Sequence, residues 1–114
     1  MVPHGISVVV NAPAVFRLTA PACPERHLEA AAALGADVRG AAPADAGDLL
    51  ARMLVGWMQR TRIPNGIGAV GYAAADVSAL TERTLPQQRL LTNAPCAITG
   101  PTLDKLFHAA LAYW

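Results

Sequence analysis

Charged side chains are scarce in this 114-residue chain: they make up 15% of it, against roughly 25% in ordinary soluble domains. Nine basic and eight acidic groups leave a formal charge of +1. No basic stripe or tract is present that could neutralise a row of phosphates, which excludes nucleic acid as a partner class. Long apolar runs are missing as well. The strongest, residues 6–18, is interrupted by Asn11, Pro13 and Arg17 and falls short of the roughly 20 residues that cross a bilayer. With Met1, Val2 and Pro3 ahead of it, it also lacks the basic start of a signal peptide, so neither membrane nor export is indicated.

Cysteine is limited to Cys23 and Cys96, with no Cys-x-x-Cys spacing and no histidine partner evident nearby in sequence. Two reduced thiols in a cytosolic setting are expected, with a disulfide between them as the alternative. Serine is limited to Ser7 and Ser78, each inside a predicted helix, and no Gly-x-Ser-x-Gly elbow occurs. Paired carboxylates are absent apart from helix-terminal acids. Together these absences argue against a self-contained hydrolase.

What is abundant is alanine and helical periodicity. Apolar residues reach 54% of the chain, and much of that is alanine, which favours helix while burying little area per residue. Such helices suit coverage by another domain or subunit. Ala46, Leu49, Leu50, Met53, Leu54, Trp57 and Met58 share one face of a 3.6-residue period over residues 45–62. Asp45 and Asp48 suit its first turn, Arg60 and Arg62 its last, and Pro64-Asn65-Gly66 ends it. A second face joins Leu103, Leu106, Phe107, Ala110, Leu111 and Trp114, with Thr99 or Thr102 as N-cap and Asp104 as early negative charge. A shorter helix is predicted from Pro24 to a terminal Gly35, and another over residues 75–83. Residues 84–98, with Pro86 and Pro95 and no period, read as an extended connection. The start is ambiguous, because Ile6, Val8, Val9 and Val10 favour strand on propensity alone.

Gly66-Ile67-Gly68-Ala69-Val70-Gly71 fits the pattern G-x-G-x-x-G letter for letter. Dinucleotide binding needs a strand before that motif, a helix opening within it and an acid about 20 residues later. Here a helix and Pro64-Asn65 precede it, and Leu91 stands where the acid belongs. A tight inter-helix loop is expected instead.

Read in order, Pro3-His4-Gly5, Val15-Phe16-Arg17, Pro24 to His27, Leu34 to Asp37, Asp45-Ala46-Gly47, Gly71-Tyr72, Ala75-Asp76, Ala79-Leu80 and Thr84-Leu85-Pro86-Gln87-Gln88-Arg89 carry a resemblance. The chain resembles the C-terminal helical domain of iron-containing alcohol dehydrogenases, in their hydroxyacid-oxoacid transhydrogenase branch. The stretch 91–97 departs from the more basic segment usual there. The resemblance implies one all-α helical bundle over residues 1–114, with residues 6–18 helical and disturbed at Pro13. It implies His4 as the last of four metal ligands, with an aspartate and two histidines supplied from outside this chain. It further implies Fe2+ or Zn2+, NAD held by a nucleotide-binding domain outside this chain, and a small hydroxyacid and oxoacid as substrates. By that reading the chain is a C-terminal fragment that is inactive alone. Its compartment is expected to be cytoplasmic, or the mitochondrial matrix if an N-terminal transit peptide preceded it. His27 and His108 are expected to be solvated surface residues. The alternative is a non-catalytic helical binding module that pairs with a full-length relative or a separate nucleotide-binding chain.

Overall fold

The β-branched start is helical. In the computed structural model, which describes residues 1–114, His4–Val9 forms α1 and Ala12–Thr19 forms α2. The disturbance expected from Pro13 falls in the turn before it, at Val10 and Asn11, where its ring and missing N–H interrupt the ladder. Pro13 itself is the second residue of α2, where the new helix needs no N–H from it.

Proline and acid placement sets the later starts. Pro24–Ala33 forms α3, with Pro24 first and Gly35 beyond its end at φ +105°. Ala46–Arg60 (α4) and Val77–Thr84 (α5) are each entered through a short 3-10 turn that ends in aspartate. The Asp45 carboxylate accepts the Ala42 N–H at 3.0 Å, and that of Asp76 accepts the Ala73 N–H at 2.8 Å. Each acid thereby serves an N–H that the helix leaves free and opposes the helix dipole. The predicted extended connection holds one short helix, Gln88–Leu91 (α6). A single turn set between Pro86 and Pro95 is too short for a period to register. Gly100–Ala109 forms α7, capped by the Thr99 hydroxyl accepting from the Thr102 N–H at 3.4 Å. No strand occurs, and the fold is all-α.

α4 packs on α2 and α3, α7 packs on α5, and α2 touches both α4 and α7, joining the two halves. The molecule measures 41 × 32 × 20 Å, and its thin axis is two helix diameters. Small residues set the α2–α4 contact: a Cβ added to Gly47 would sit 3.0 Å from the Ala20 Cβ and 3.1 Å from the Arg17 Cα. The deepest positions of α4 are therefore Ala46, Gly47, Leu50, Ala51 and Met58. Trp57, expected on the buried face, lies at its rim, 42% exposed, with its indole N–H donating to the Leu34 carbonyl and Arg60 over its ring. Trp114 is likewise off the expected stripe, because the chain leaves the helix at Ala110. Arg17 of α2 and Arg52 of α4 both pair with Asp48, and chiefly the Arg52 hydrogen bond holds that carboxyl below its ordinary range.

The second core gathers Val10, Ala14, Ile67 and Ala110, with Ile6, Leu80 and Phe107 packed around them. Here the glycine-rich loop meets the chain's last residues. Ile67 N–H donates to the Ala110 carbonyl at 2.8 Å and Gly68 N–H to that of Leu111 at 3.0 Å. The Asn65 side chain accepts from Tyr113 N–H at 2.6 Å and donates to the Trp114 carbonyl. A Cβ at Gly66 would lie 2.4 Å from the Ala110 oxygen, and one at Gly68 would lie 2.6 Å from that of Leu111. From this clasp the Tyr113 ring reaches α1 and α2, and burial foremost raises its phenol above the ordinary 10.0.

Two outcomes follow from this geometry. Gly66 and Gly40 share a left-handed φ (+70° and +72°), but only Gly66 is hemmed in. Gly40→Ala costs about 1 kcal/mol for the backbone conformation alone, whereas Gly66→Ala costs about 3 kcal/mol or more. Urea denaturation of both variants measures the gap, and equal losses refute the clasp. Since the unfolded phenol ionises near 10.0 and the folded one later, the unfolded state binds fewer protons between those values. Stability thus declines as pH rises from 10.0 through the folded value. Tyr113→Phe flattens that decline in alkaline denaturation series.

Candidate functional site around His4

Pro3 holds an extended conformation (φ −56°, ψ 143°) and delivers the chain into α1 with His4 as its first residue. The opening helical bond runs from Ser7 N–H to the Pro3 carbonyl at 3.0 Å, and the Ser7 hydroxyl donates to the His4 carbonyl at 2.7 Å. One turn on, the Asn11 amide donates to the Ser7 carbonyl at 2.9 Å. His4 is exposed, and its imidazole enters no hydrogen bond or ion pair. Both ring nitrogens are free.

A cavity of about 170 Å³ opens beside this helix, lined by Val2, Ser7, Asn11, Val70, Tyr72 and Phe107 among others. No cation lines it. The buried Asn11 Oδ1 has no hydrogen-bond partner within the chain.

Nowhere does the chain bring three or more His, Cys, Asp or Glu side chains together as metal ligands. A catalytic metal needs about three protein ligands and an open position. An Fe2+ or Zn2+ ion of the kind the resemblance implies finds one donor of the right chemistry in His4, with its ring uncommitted. Such an ion would need its remaining ligands from elsewhere.

His108 is half exposed, 3.7 Å from Asp104, as expected of a surface residue. His27 is not solvated: it is 7% exposed, because it sits where α3 closes on α2. Its Nδ1 lies 2.9 Å from the Cys23 carbonyl, which only accepts, so Nδ1 carries the proton. Its Nε2, 2.7 Å from the Thr19 hydroxyl, therefore accepts. The Phe16 ring meets it edge to face at 5.7 Å. Neither nitrogen has a lone pair left for a metal, and Nδ1 cannot take a proton from the Cys23 thiol 3.6 Å away. Sequence reasoning missed this cluster; the signal was the i, i+4 spacing of Cys23 and His27. Cys23 and Cys96 are both free and half-buried, with no disulfide between them.

The glycine motif is a loop, as expected, and its amides are already used. Besides Ile67 and Gly68, Gly66 N–H donates to Pro64, Val70 N–H to Ile67 and Gly71 N–H to Gly68 carbonyls. A phosphate cradle needs those N–H groups free.

No family model matches the chain, and no solved structure matches it. It is similar to the mitochondrial hydroxyacid-oxoacid transhydrogenases of Xenopus laevis and Homo sapiens, each 48% identical over 111 residues. Those matches cover 97% of this chain and 24% of each relative. A probable mitochondrial hydroxyacid-oxoacid transhydrogenase of Dictyostelium discoideum is 43% identical over 114 residues, covering 100% of this chain and 21% of the relative. The chain thus spans about a quarter of the length of these relatives, in their C-terminal part.

Thr19→Val keeps the shape but leaves His27 Nε2 buried without a donor, which costs about 1–3 kcal/mol. The Cys23→Ala variant loses only long sulfur contacts and costs less. Chemical denaturation ranks the two, and the reverse order would contradict the assigned tautomer.

Proposed function

We propose that this chain, which matches hydroxyacid-oxoacid transhydrogenases along essentially its whole length, is the helical, metal-facing part of an enzyme of that family, within the iron-containing alcohol dehydrogenases. The reaction is hydride transfer from a hydroxyacid such as 4-hydroxybutyrate to an oxoacid such as 2-oxoglutarate. The observation that carries this reading is the free imidazole of His4 at the start of α1, within a match that runs the length of the chain.

His4 supplies one imidazole to a divalent iron or zinc ion whose other ligands, like the NAD site, belong to a part outside these residues. A metal so bound acts as a Lewis acid on the substrate hydroxyl. The chain's own contribution is to present His4 at the exposed start of α1. Two unpaired thiols fit a reducing compartment, the cytoplasm or the mitochondrial matrix. No helix here is long and apolar enough to cross a membrane.

One observation favours a second reading, a non-catalytic module that binds a full-length relative or a separate nucleotide-binding chain. The accessible surface is 6997 Å² for 11.9 kDa, about 1,000 Å² above that of a compact monomer of this mass. A standard interface covers about 800 Å² per partner. The same excess suits a domain interface within one enzyme.

The 114-residue chain with Fe2+ and NAD is expected to show no turnover of 4-hydroxybutyrate, while the polypeptide joining it to a nucleotide-binding part is active. His4→Ala in that polypeptide lowers kcat/KM by more than about 100-fold, beyond the usual effect of losing a group that merely supports a ligand, and lowers bound iron in parallel. Full activity and iron content in the His4→Ala enzyme would sink the proposal.

A further inference from the structure

A helix running unbroken from His4 to Thr19 would bond the Ala14 N–H to the Val10 carbonyl four residues earlier. That bond is not made. Pro13 has no N–H for the Val9 carbonyl and its ring crowds it, so the chain parts at Val10 and Asn11. Parting strands two polar groups in the core, on residues only 1% and 5% exposed. The Tyr113 hydroxyl stands between them: it accepts from the Ala14 N–H at 3.4 Å and donates to the Val10 carbonyl at 3.0 Å. A side chain from the far end of the chain is inserted where the helical ladder is interrupted between α1 and α2.

Tyr113 is itself anchored. Its N–H donates to Asn65, and the carbonyls of Ala110 and Leu111 accept from the glycine-rich loop. The main neighbour of α1 is α2, with Ile6 also packed against the core. The break is thus one of the restraints on its direction, and His4 is its first residue.

From this geometry we infer that Tyr113 is a positioning residue for His4: its hydroxyl holds open the break between α1 and α2 and so aims the imidazole. The role given to His4 rests on the proposed function; the break does not. Tyr113 touches no reacting atom under either reading.

The test is Tyr113→Phe, which keeps the ring and removes the hydroxyl. Residual dipolar couplings of the chain are expected to show α1 turned relative to α2, with α3, α4 and α7 unchanged among themselves. The Ala14 amide then closes onto the Val10 carbonyl. In the complete polypeptide, affinity for Fe2+ falls about 10- to 100-fold, as when other supports of a metal-bound imidazole are lost. Should Tyr113→Phe fold poorly, adding Pro13→Ala restores an N–H at position 13 and lets the ladder run through. A merely structural tyrosine predicts recovery of both stability and Fe2+ affinity in the double variant; positioning predicts recovery of stability alone. Unchanged α1 orientation in Tyr113→Phe overturns the inference, whatever the metal does. A turned α1 with undiminished Fe2+ affinity overturns the positioning role. His4→Ala separates the causes: if it too leaves affinity intact, the metal reading of His4 has failed, while the inserted hydroxyl still explains the break.

Discussion

The contact on which this small fold turns is the clasp between residues 65–68 and the last five residues of the chain. Two backbone bonds and one asparagine side chain tie the loop after α4 to the segment that follows α7. Without it Tyr113 has no fixed place, and the core of Val10, Ala14, Ile67 and Ala110 loses the wall that Ile67 and Ala110 supply. The close approach also explains the glycines. Backbone carbonyls occupy the space where side chains at positions 66 and 68 would lie, so a pattern that resembles a nucleotide motif is there to let two backbones meet.

A chain of this kind has little core to spare. Only 17 of 114 residues are buried, and many of those are alanines, each contributing little apolar area. Polar devices at joints take up the difference: aspartates reaching back at the starts of α4 and α5, the Thr19–His27 pair between α2 and α3, and the Tyr113 hydroxyl at the break between α1 and α2. The same thinness leaves broad surface open. His4 stands at the exposed start of α1 with its ring uncommitted.

Much of the fold was legible in the residues. The periodic faces of α4 and α7, the proline at the start of α3 and the acids ahead of α4 and α5 act locally, and all of these helices form. Where local preference was weak or divided, it misled or stayed silent. The run Ile6 to Val9 looked like a strand by propensity, yet it is helical, as the resemblance implied, with Ile6 packed on the core. α6 is one turn and too short to show a period. Trp57 and Trp114 fit a helical stripe on paper, but small residues took the tight contact in one case and the helix ended in the other.

For the site, the ordered resemblance singled out His4, and no property of a lone histidine could have done so. By itself the sequence determined the helical class and most helix starts, since each depends on neighbours within a few turns or on composition. Only the tertiary structure decided that His27 is buried with its nitrogens engaged, that the glycine-rich loop gives the Ile67 and Gly68 amides to the C-terminal segment, and that the Tyr113 hydroxyl bonds a carbonyl about a hundred positions away. Those facts arise from groups distant in sequence meeting in a low-dielectric interior, where an unpaired donor or acceptor is costly.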